Sequence, residues 1–130
     1  MLKYQPKPGS IVKCDFKGYV IPEIVKCRPA IVINVHKANS QLVTVVPISS
    51  TEPSKVDYYH YELDLSIESN IAPYLPADTK RWFKCDLVYV VSIARMDRYK
   101  NRNTGERSTP QVSSKALKTI KEMVRLANGL

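Results

Sequence analysis

Long hydrophobic runs are absent from the sequence, and none approaches the ~20 residues that a membrane-spanning helix needs. The first eight residues, Met-Leu-Lys-Tyr-Gln-Pro-Lys-Pro, have no apolar stretch after Lys3 and so lack the pattern of a secretion signal. There are only three cysteines, Cys14, Cys27 and Cys85, which cannot all pair within one chain. We therefore expect a cytoplasmic protein with reduced thiols and no membrane partner.

Several familiar functional motifs are also missing. The sequence has no glycine-rich phosphate loop, no Gly-x-Ser-x-Gly and no Cys-x-x-Cys. Its three cysteines and two histidines have no short spacing of the kind that metal ligands show. We expect neither a metal ion nor a cofactor, and we interpret the thiols as core or half-buried side chains.

What the chain does have is enough apolar sequence for one folded domain. Its 130 residues are 44% hydrophobic and 25% charged, and no linker or internal repeat divides them, so residues 1–130 are predicted to form a single domain. Lys and Arg number 20 against 12 Asp and Glu, which gives a net charge of +8. Nine basic and three acidic residues lie from Arg95 onward. This excess makes nucleic acid a candidate partner, although a solvated, lysine-covered helix is an equally good interpretation.

Hydrophobic patterning predicts a mainly β protein. Continuous or alternating apolar runs predict strands over residues 11–16, 30–35, 42–48, 58–65 and 82–93. A loop is expected over residues 17–28 and irregular chain over residues 66–80. Pro47 is expected at a bulge or a strand end, because proline donates no ladder hydrogen bond.

The C-terminal segment changes to a helical period. Its apolar stripe is formed by Leu117, Ile120, Val124 and Ala127. Ser113 or Ser114 can cap the start of this helix, and Asn128 with Gly129 can close its end. About five short strands and one amphipathic helix together predict a small, strongly bent sheet or barrel.

Two segments carry the candidate chemistry. Glu23-Ile-Val-Lys-Cys-Arg28-Pro29 places an acid and an arginine in the loop directly before a buried strand. Val46-Pro47-Ile48-Ser49-Ser50 places two hydroxyls where the next strand ends. Both spacings resemble those of the PemK/MazF family of toxins from bacterial toxin–antitoxin pairs. The segments His60-Tyr-Glu-Leu, Trp82-Phe-Lys-Cys-Asp86 and Val91-Ser-Ile-Ala-Arg95 are similar to a PemK-like subgroup, so the resemblance runs from about Pro6 to the terminal helix.

The resemblance implies a fold and an activity. The fold would be a small SH3-like barrel of about five to seven strands with a C-terminal helix, assembled as a homodimer. The activity would be that of an endoribonuclease that needs no metal, cuts single-stranded RNA such as mRNA at short sequences, and is inhibited by a cognate antitoxin. The alternative is a non-catalytic binding protein of the same fold, whose partner is an antitoxin, nucleic acid or another macromolecule.

The residue types suit RNA cleavage by the neighbouring ribose 2′-OH. That reaction needs a group to remove the hydroxyl proton, a cation and donors for the phosphorane, and an acid for the departing 5′-oxygen. Arg28 can hold the phosphate through two parallel hydrogen bonds, and Ser49 and Ser50 can donate to the same oxygens. Glu23 can act as the base or can orient Arg28. The structural alternatives are an Arg28–Glu23 ion pair and ordinary turn chemistry for the two serines.

One stretch departs from the family pattern. Many members carry an Arg-Thr-Ile-Asp-like stretch in a late strand, where this chain has Tyr89-Val90-Val91-Ser92. Lys84 or His60 is a candidate for the missing polar group, since the imidazole pKa suits proton transfer. Trp82 is a candidate for stacking on an unpaired base, with a core position as its alternative. Three lysines of the helix, Lys115, Lys118 and Lys121, are candidates for contacts with RNA phosphates.

Overall fold

The computed structural model of the protein describes residues 1–19, 26–75 and 81–129. Within these ranges a 3-10 helix spans Ile93–Arg95 and the α-helix α1 spans Ser114–Ala127. The strands are β1 (Ile11–Asp15), β2 (Cys27–Val35), β3 (Leu42–Ser49), β4 (His60–Leu63), β5 (Arg81–Lys84), β6 (Tyr89–Ser92), β7 (Met96–Asp97), β8 (Tyr99–Lys100) and β9 (Arg107–Ser108). The predicted mainly β architecture with one C-terminal helix is confirmed.

Strands β1 to β7 form one antiparallel sheet. Six of them follow the order β4-β5-β3-β2-β1-β7, and β6 pairs with the remaining part of β3. Strands β8 and β9 form a separate two-stranded hairpin. Because β3 pairs with β2 along one edge and with both β5 and β6 along the other, it is the strand around which the sheet is organised.

The single strand predicted over residues 82–93 is wrong, because two strands occupy this segment. Residues 42–45 of β3 pair with β6, and Ile48 and Ser49 pair with β5. The ladder on this edge is interrupted at Val46 and Pro47, where the proline has no N–H to donate. The chain between β5 and β6 turns there, with the N–H of Leu87 donating to the carbonyl of Lys84 at 2.9 Å. Pro47 therefore lies inside β3, at the point where this edge changes its partner.

Two hydrophobic clusters cover the two faces of the sheet. On the first face, Ile31 and Ile33 of β2 and Val46 and Ile48 of β3 pack against α1 through Ala116, Ile120 and Val124. We call this the helix face. On the opposite face, which we call the far face, Ala30 and Val32 of β2 pack with residues of β3 and of other segments: Val43, Val45, Val12, Phe16 and Met96. Burial on both faces explains the near-continuous apolar run of β2.

Helix α1 begins and ends where its capping residues predict. The side chain of Ser113 accepts the N–H of Ala116, and Asn128 forms the C-terminal cap before Gly129, which has a φ of +70°. The buried carboxylate of Glu68 accepts both the N–H and the hydroxyl of Ser113, which attaches the start of the helix to the chain after β4. Across residues 1–19, 26–75 and 81–129, no helix has both the length and the apolar character to cross a membrane.

Candidate active site

Arg28 lies in a strand and not in the loop that the sequence predicted. The β1–β2 ladder continues through Cys14–Arg28 to Asp15–Cys27, and the N–H of Phe16 still donates to the carbonyl of Lys26. This pairing carries the chain from Cys27 onward into β2, so the backbone of Arg28 is fixed by its neighbour. The position of the arginine is therefore set by the sheet.

Arg28 and Ser49 share the far face at a point where two strands separate. The last pair of the β2–β3 ladder is Ala30–Pro47. Arg28 precedes Ala30 by two residues and Ser49 follows Pro47 by two, so the two-residue period of a strand puts their side chains on the face of that pair. Beyond the Ala30–Pro47 pair, Arg28 of β2 stays paired with Cys14 of β1, and Ser49 of β3 stays paired with Trp82 of β5. We call the gap between Arg28 and Ser49 the β2–β3 opening.

The register of the outer strands brings the other sequence-predicted residues to the same face. Trp82 of β5 is opposite Ser49, and two residues later Lys84 is opposite His60 of β4. Because paired residues of an antiparallel ladder project on one side, these side chains share the far face with Arg28. Five of the residues singled out in the sequence are thus gathered on one face: Arg28, Ser49, His60, Trp82 and Lys84.

The guanidinium of Arg28 is half-buried and has no hydrogen bond or ion pair with any residue that the structure describes. Glu23, its predicted partner, lies outside the described residues. An arginine held in a strand, with no acceptor for its donors in the described part of the chain, is suited to a ligand with a planar pair of oxygens, such as a phosphate.

The hydroxyl of Ser49 is positioned by the turn that follows β3. Its Oγ accepts the N–H of Thr51 at 3.1 Å and makes a long, weak contact of 3.5 Å with the Thr51 carbonyl. Ser49 is 8% exposed, whereas Ser50 is exposed in the bend that follows. Since the N–H of Thr51 holds the oxygen in place, the O–H of Ser49 can turn towards a ligand by giving up the long contact.

His60 is held as a neutral imidazole. Its Nδ1 accepts the N–H of Asp57 at 3.0 Å, so the ring proton lies on Nε2. Burial lowers the pKa of His60 below its ordinary value of 6.5, and the nearby charge of Lys84 lowers it further. In this state His60 can donate a hydrogen bond from Nε2. A second proton would have to bind at Nδ1, which already accepts the N–H of Asp57.

Trp82 is 6% exposed, so its ring has little surface on which a base could stack in this conformation. Its indole N–H is buried and has no acceptor within the described part of the chain. The ring lies across the ladder from Ser49 and supports that end of β3.

The three helix lysines lie on the other side of the sheet from Arg28. Helix α1 packs on the helix face, and Lys115, Lys118 and Lys121 point away from it into solvent. They are therefore separated from the β2–β3 opening by the thickness of the sheet and the helix.

The cysteines form no common site. Burial raises the pKa of Cys14 and of Cys85 to about 12, so both stay protonated thiols at neutral pH, and Cys27 is exposed. Within the described ranges, no three His, Cys, Asp or Glu side chains are grouped in a way that could hold a metal ion.

Sequence reasoning did not single out three further cations at the end of the sheet where Arg28 lies. Lys17 and Lys26 are exposed at the end of the β1–β2 ladder, and Arg95 precedes β7, which pairs with the other edge of β1. Arg95 is 67 positions from Arg28 in the sequence. Only the strand order β2-β1-β7 brings it to the end of the sheet where Arg28 lies. The Ser-Ile-Ala-Arg stretch after a strand was its one local signal.

Comparison with known proteins gives a consistent result. Residues 7–126 match the profile of the PemK-like, MazF-like toxins of type II toxin–antitoxin systems. The uncharacterised YifN protein of Escherichia coli is 30% identical over an alignment of 115 residues, with 75% of this chain and 75% of that one covered. An uncharacterised protein of Haemophilus influenzae is 32% identical over an alignment of 109 residues, with 72% of this chain and 71% of that one covered.

Solved structures share the fold. MazF from Deinococcus radiodurans has a TM-score of 0.69 at 16% identity, with 98% of this chain and 100% of that chain covered. A mycobacterial endoribonuclease, solved in complex with its cognate antitoxin, has a TM-score of 0.62 at 16% identity and 96% coverage of both chains. The fold expected from the sequence, a small bent β-sheet with a terminal helix as in MazF-type proteins, is confirmed.

Proposed function

Because the chain belongs to the family of PemK-like, MazF-like toxins of type II toxin–antitoxin systems, we propose that it is an endoribonuclease that cuts single-stranded RNA, such as mRNA, at short sequences. Cleavage proceeds by attack of the ribose 2′-OH on the adjacent phosphate and needs no metal. The observation that carries this proposal is the half-buried guanidinium of Arg28, which has no partner among the described residues, on the same face as Ser49 where β2 and β3 part.

Each group at the β2–β3 opening has a role in this reaction. The guanidinium of Arg28 binds two oxygens of the scissile phosphate and offsets the charge that develops on the phosphorane. The hydroxyl of Ser49 donates to one of these oxygens, while the N–H of Thr51 keeps its Oγ in place. The exposed hydroxyl of Ser50 is available for a second donation at the strand end.

Proton transfer is divided between the two sides of the phosphate. Glu23, five residues before Arg28, takes the proton of the 2′-OH, since a carboxylate can accept a proton, whereas the basic Nδ1 of His60 already accepts the N–H of Asp57. Lys84 supplies the acid for the departing 5′-oxygen, because its ammonium has a proton to give up, and the Nε2–H of His60 donates a hydrogen bond to the same oxygen. They replace the charged groups that the family carries where this chain has Tyr89 to Ser92. Tyr89 itself is 8% exposed and packs against Phe16 and Tyr19.

The remaining candidates act in capture and support. Lys115, Lys118 and Lys121 attract the RNA polyanion to the protein through the long-range field of the basic surface. Trp82 assists RNA binding by holding Ser49 from the neighbouring strand. We further propose a cytoplasmic homodimer whose activity is blocked by a cognate antitoxin, as the family membership suggests.

A direct assay tests this proposal. Purified protein should cleave a long single-stranded RNA, and Arg28→Ala should lower the cleavage rate at least ~100-fold, the scale seen when a preorganised oxyanion donor is removed. The free energy of unfolding of Arg28→Ala should stay within about 1 kcal/mol of wild type, because the side chain bonds to no described residue. Lys26→Ala, which removes a nearby exposed cation, is the matched control and should retain most activity. RNA binding without cleavage by the wild type would favour the non-catalytic alternative.

A further inference from the structure

Arg95 has an unusually fixed guanidinium for a half-buried side chain. Its Nη1 donates to the backbone carbonyls of Asp15 at 3.0 Å and Lys17 at 2.7 Å. The guanidinium carbon lies 5.1 Å from the centroid of the Tyr19 ring, in cation–π geometry. Two hydrogen bonds and one ring contact therefore hold the group in a single orientation.

The bonds of Arg95 leave one edge of the guanidinium unused. Both Nη1 hydrogens are committed to carbonyls, so the Nε–H and the two Nη2 hydrogens remain, and they have no acceptor in the described part of the chain. An Nε–Nη2 edge is the geometry that binds two oxygens of one phosphate. Gly18, at a φ of +97°, closes the adjacent turn without placing a side chain beside Nη2.

Arg95 lies at the same end of the sheet as Arg28. Met96, the next residue, pairs with Cys14, and Cys14 pairs with Arg28, so two strand spacings of ~4.8 Å each, about 10 Å in all, separate the backbones of Met96 and Arg28. Tyr19, on which the guanidinium lies, packs with Phe16 and Tyr89 of the far-face cluster. The exposed Lys17 and Lys26 add positive charge at this end.

We infer that Arg95 is a second phosphate-binding residue, which holds an RNA backbone phosphate beside the one bound at Arg28. This inference rests on the proposed function, since it takes single-stranded RNA as the ligand of the far face. The carbonyls of Asp15 and Lys17 orient the group before RNA arrives, so little side-chain freedom is lost on binding. A phosphate contact of this kind adds affinity for every sequence and selects none.

The test measures binding and cleavage separately. Binding is followed with two unrelated single-stranded 2′-O-methyl oligonucleotides, which cannot undergo 2′-OH attack, between low and moderate salt. For Arg95→Gln, the slope of log affinity against log salt should flatten by ~0.7, the value for one phosphate contact on a single strand. At ~0.1 M salt this corresponds to about fivefold weaker binding of both oligonucleotides. In cleavage assays KM should rise by a similar factor while kcat stays unchanged.

Two further variants keep the test decisive. Arg95→Lys retains the charge but not the double hydrogen bond, so it should bind both oligonucleotides more weakly than wild type with an unchanged salt slope. Lys100→Gln removes one exposed charge on the β8–β9 hairpin and should alter neither quantity. If Arg95→Gln or Arg95→Lys lowers Tm while affinity and salt slope remain those of wild type, Arg95 only fastens the turn over residues 15–19 and the inference is overturned. A wild-type protein that binds neither oligonucleotide and cuts no RNA would instead contradict the proposed function itself.

Discussion

Arg28 and Ser49 lie at matching positions, two residues beyond the Ala30–Pro47 pair that ends the β2–β3 ladder, and their side chains share the far face of the sheet. Each strand continues there with a different partner, β2 with β1 and β3 with β5. A cation and a hydroxyl are thus positioned by two separate ladders on either side of one opening. This arrangement positions both groups on one face without a bond between them.

The role of Ser49 can be separated from that of its neighbour Ser50. Ser49→Ala should lower the cleavage rate ~100-fold or more, because the hydroxyl on the face of Arg28 no longer donates to the phosphate. It also removes the acceptor for the N–H of Thr51, at a cost of about 1 kcal/mol in the free energy of unfolding. Ser49→Thr should restore most activity, and Ser50→Ala, which removes only the second and exposed donor, should lower the rate much less than Ser49→Ala. Equal losses for Ser49→Ala and Ser50→Ala would contradict this assignment.

The helix lysines should influence the association rate of RNA and not its dissociation rate. They lie on the helix side of the sheet, whereas Arg28 lies on the far face. Changing Lys115, Lys118 and Lys121 together to Gln should lower the association rate with single-stranded RNA by up to about tenfold at low salt and leave the dissociation rate unchanged. The helix should persist, because Gln has nearly the helix propensity of Lys. Faster dissociation in stopped-flow measurements would mean that the lysines contact the bound RNA.

Trp82 is the only tryptophan of the chain, so its fluorescence reports its surroundings directly. Because the ring is 6% exposed, we expect weak quenching of its emission by acrylamide in the free protein. Trp82→Ala should lower the free energy of unfolding by about 3–5 kcal/mol. Trp82→Phe keeps most of the packing and loses an N–H that has no acceptor in the described residues, so it should retain stability and cleavage. Lost RNA binding in a stable Trp82→Phe protein would instead assign the indole a direct contact.

His60 should make the protein less stable in mild acid. Its pKa is lowered in the folded state by burial and by Lys84, so the unfolded chain binds a proton more readily. The resulting stability is fully present above pH 6.5, the ordinary pKa, and is lost as the pH falls through the lower folded value. Protonation of Nδ1 also removes the acceptor for the N–H of Asp57. Urea unfolding between pH 5 and pH 8 should show a smaller acid loss for His60→Asn than for wild type. Identical pH dependence in the two proteins would show that His60 does not contribute.

The sequence predicted the elements whose burial pattern is simple. Strand β2 is apolar at consecutive positions because both of its faces are covered, and α1 has a regular stripe with Ser113 and Asn128 as its caps. Strand β4 is shorter than its alternating pattern suggested, since the N–H of His60 closes a turn onto the carbonyl of Asp57. The β8–β9 hairpin was missed, because it has no apolar period and forms around Asn101, whose N–H donates to the carbonyl of Glu106 at 2.8 Å.

The site was predicted only as a set of residue types. The sequence predicted Arg28 in a loop, because the apolar run of the strand begins only at Ala30. Pairing with β1 extends the strand back to Cys27. It could not place His60 and Lys84 opposite each other, or put Trp82 beside Ser49, since these relationships depend on the register of β5 against two other strands. Arg95 is brought near Arg28 only by the order of β7, β1 and β2. Local sequence patterns do not determine strand register or strand order, so side-chain neighbours that depend on them cannot be predicted from such patterns.

The central claim, RNA cleavage by the 2′-OH without a metal, is tested most directly by the ends of the products. A long single-stranded RNA is incubated with the purified protein in excess EDTA, and the fragment ends are determined chemically. Attack by the neighbouring hydroxyl retains the phosphate on the upstream fragment, so we predict 5′-hydroxyl ends and cyclic or 3′-phosphate ends. Activity should be undiminished in the chelator and at least ~100-fold lower for Arg28→Ala. Fragments with 5′-phosphate ends, formed only when magnesium is present, would contradict it.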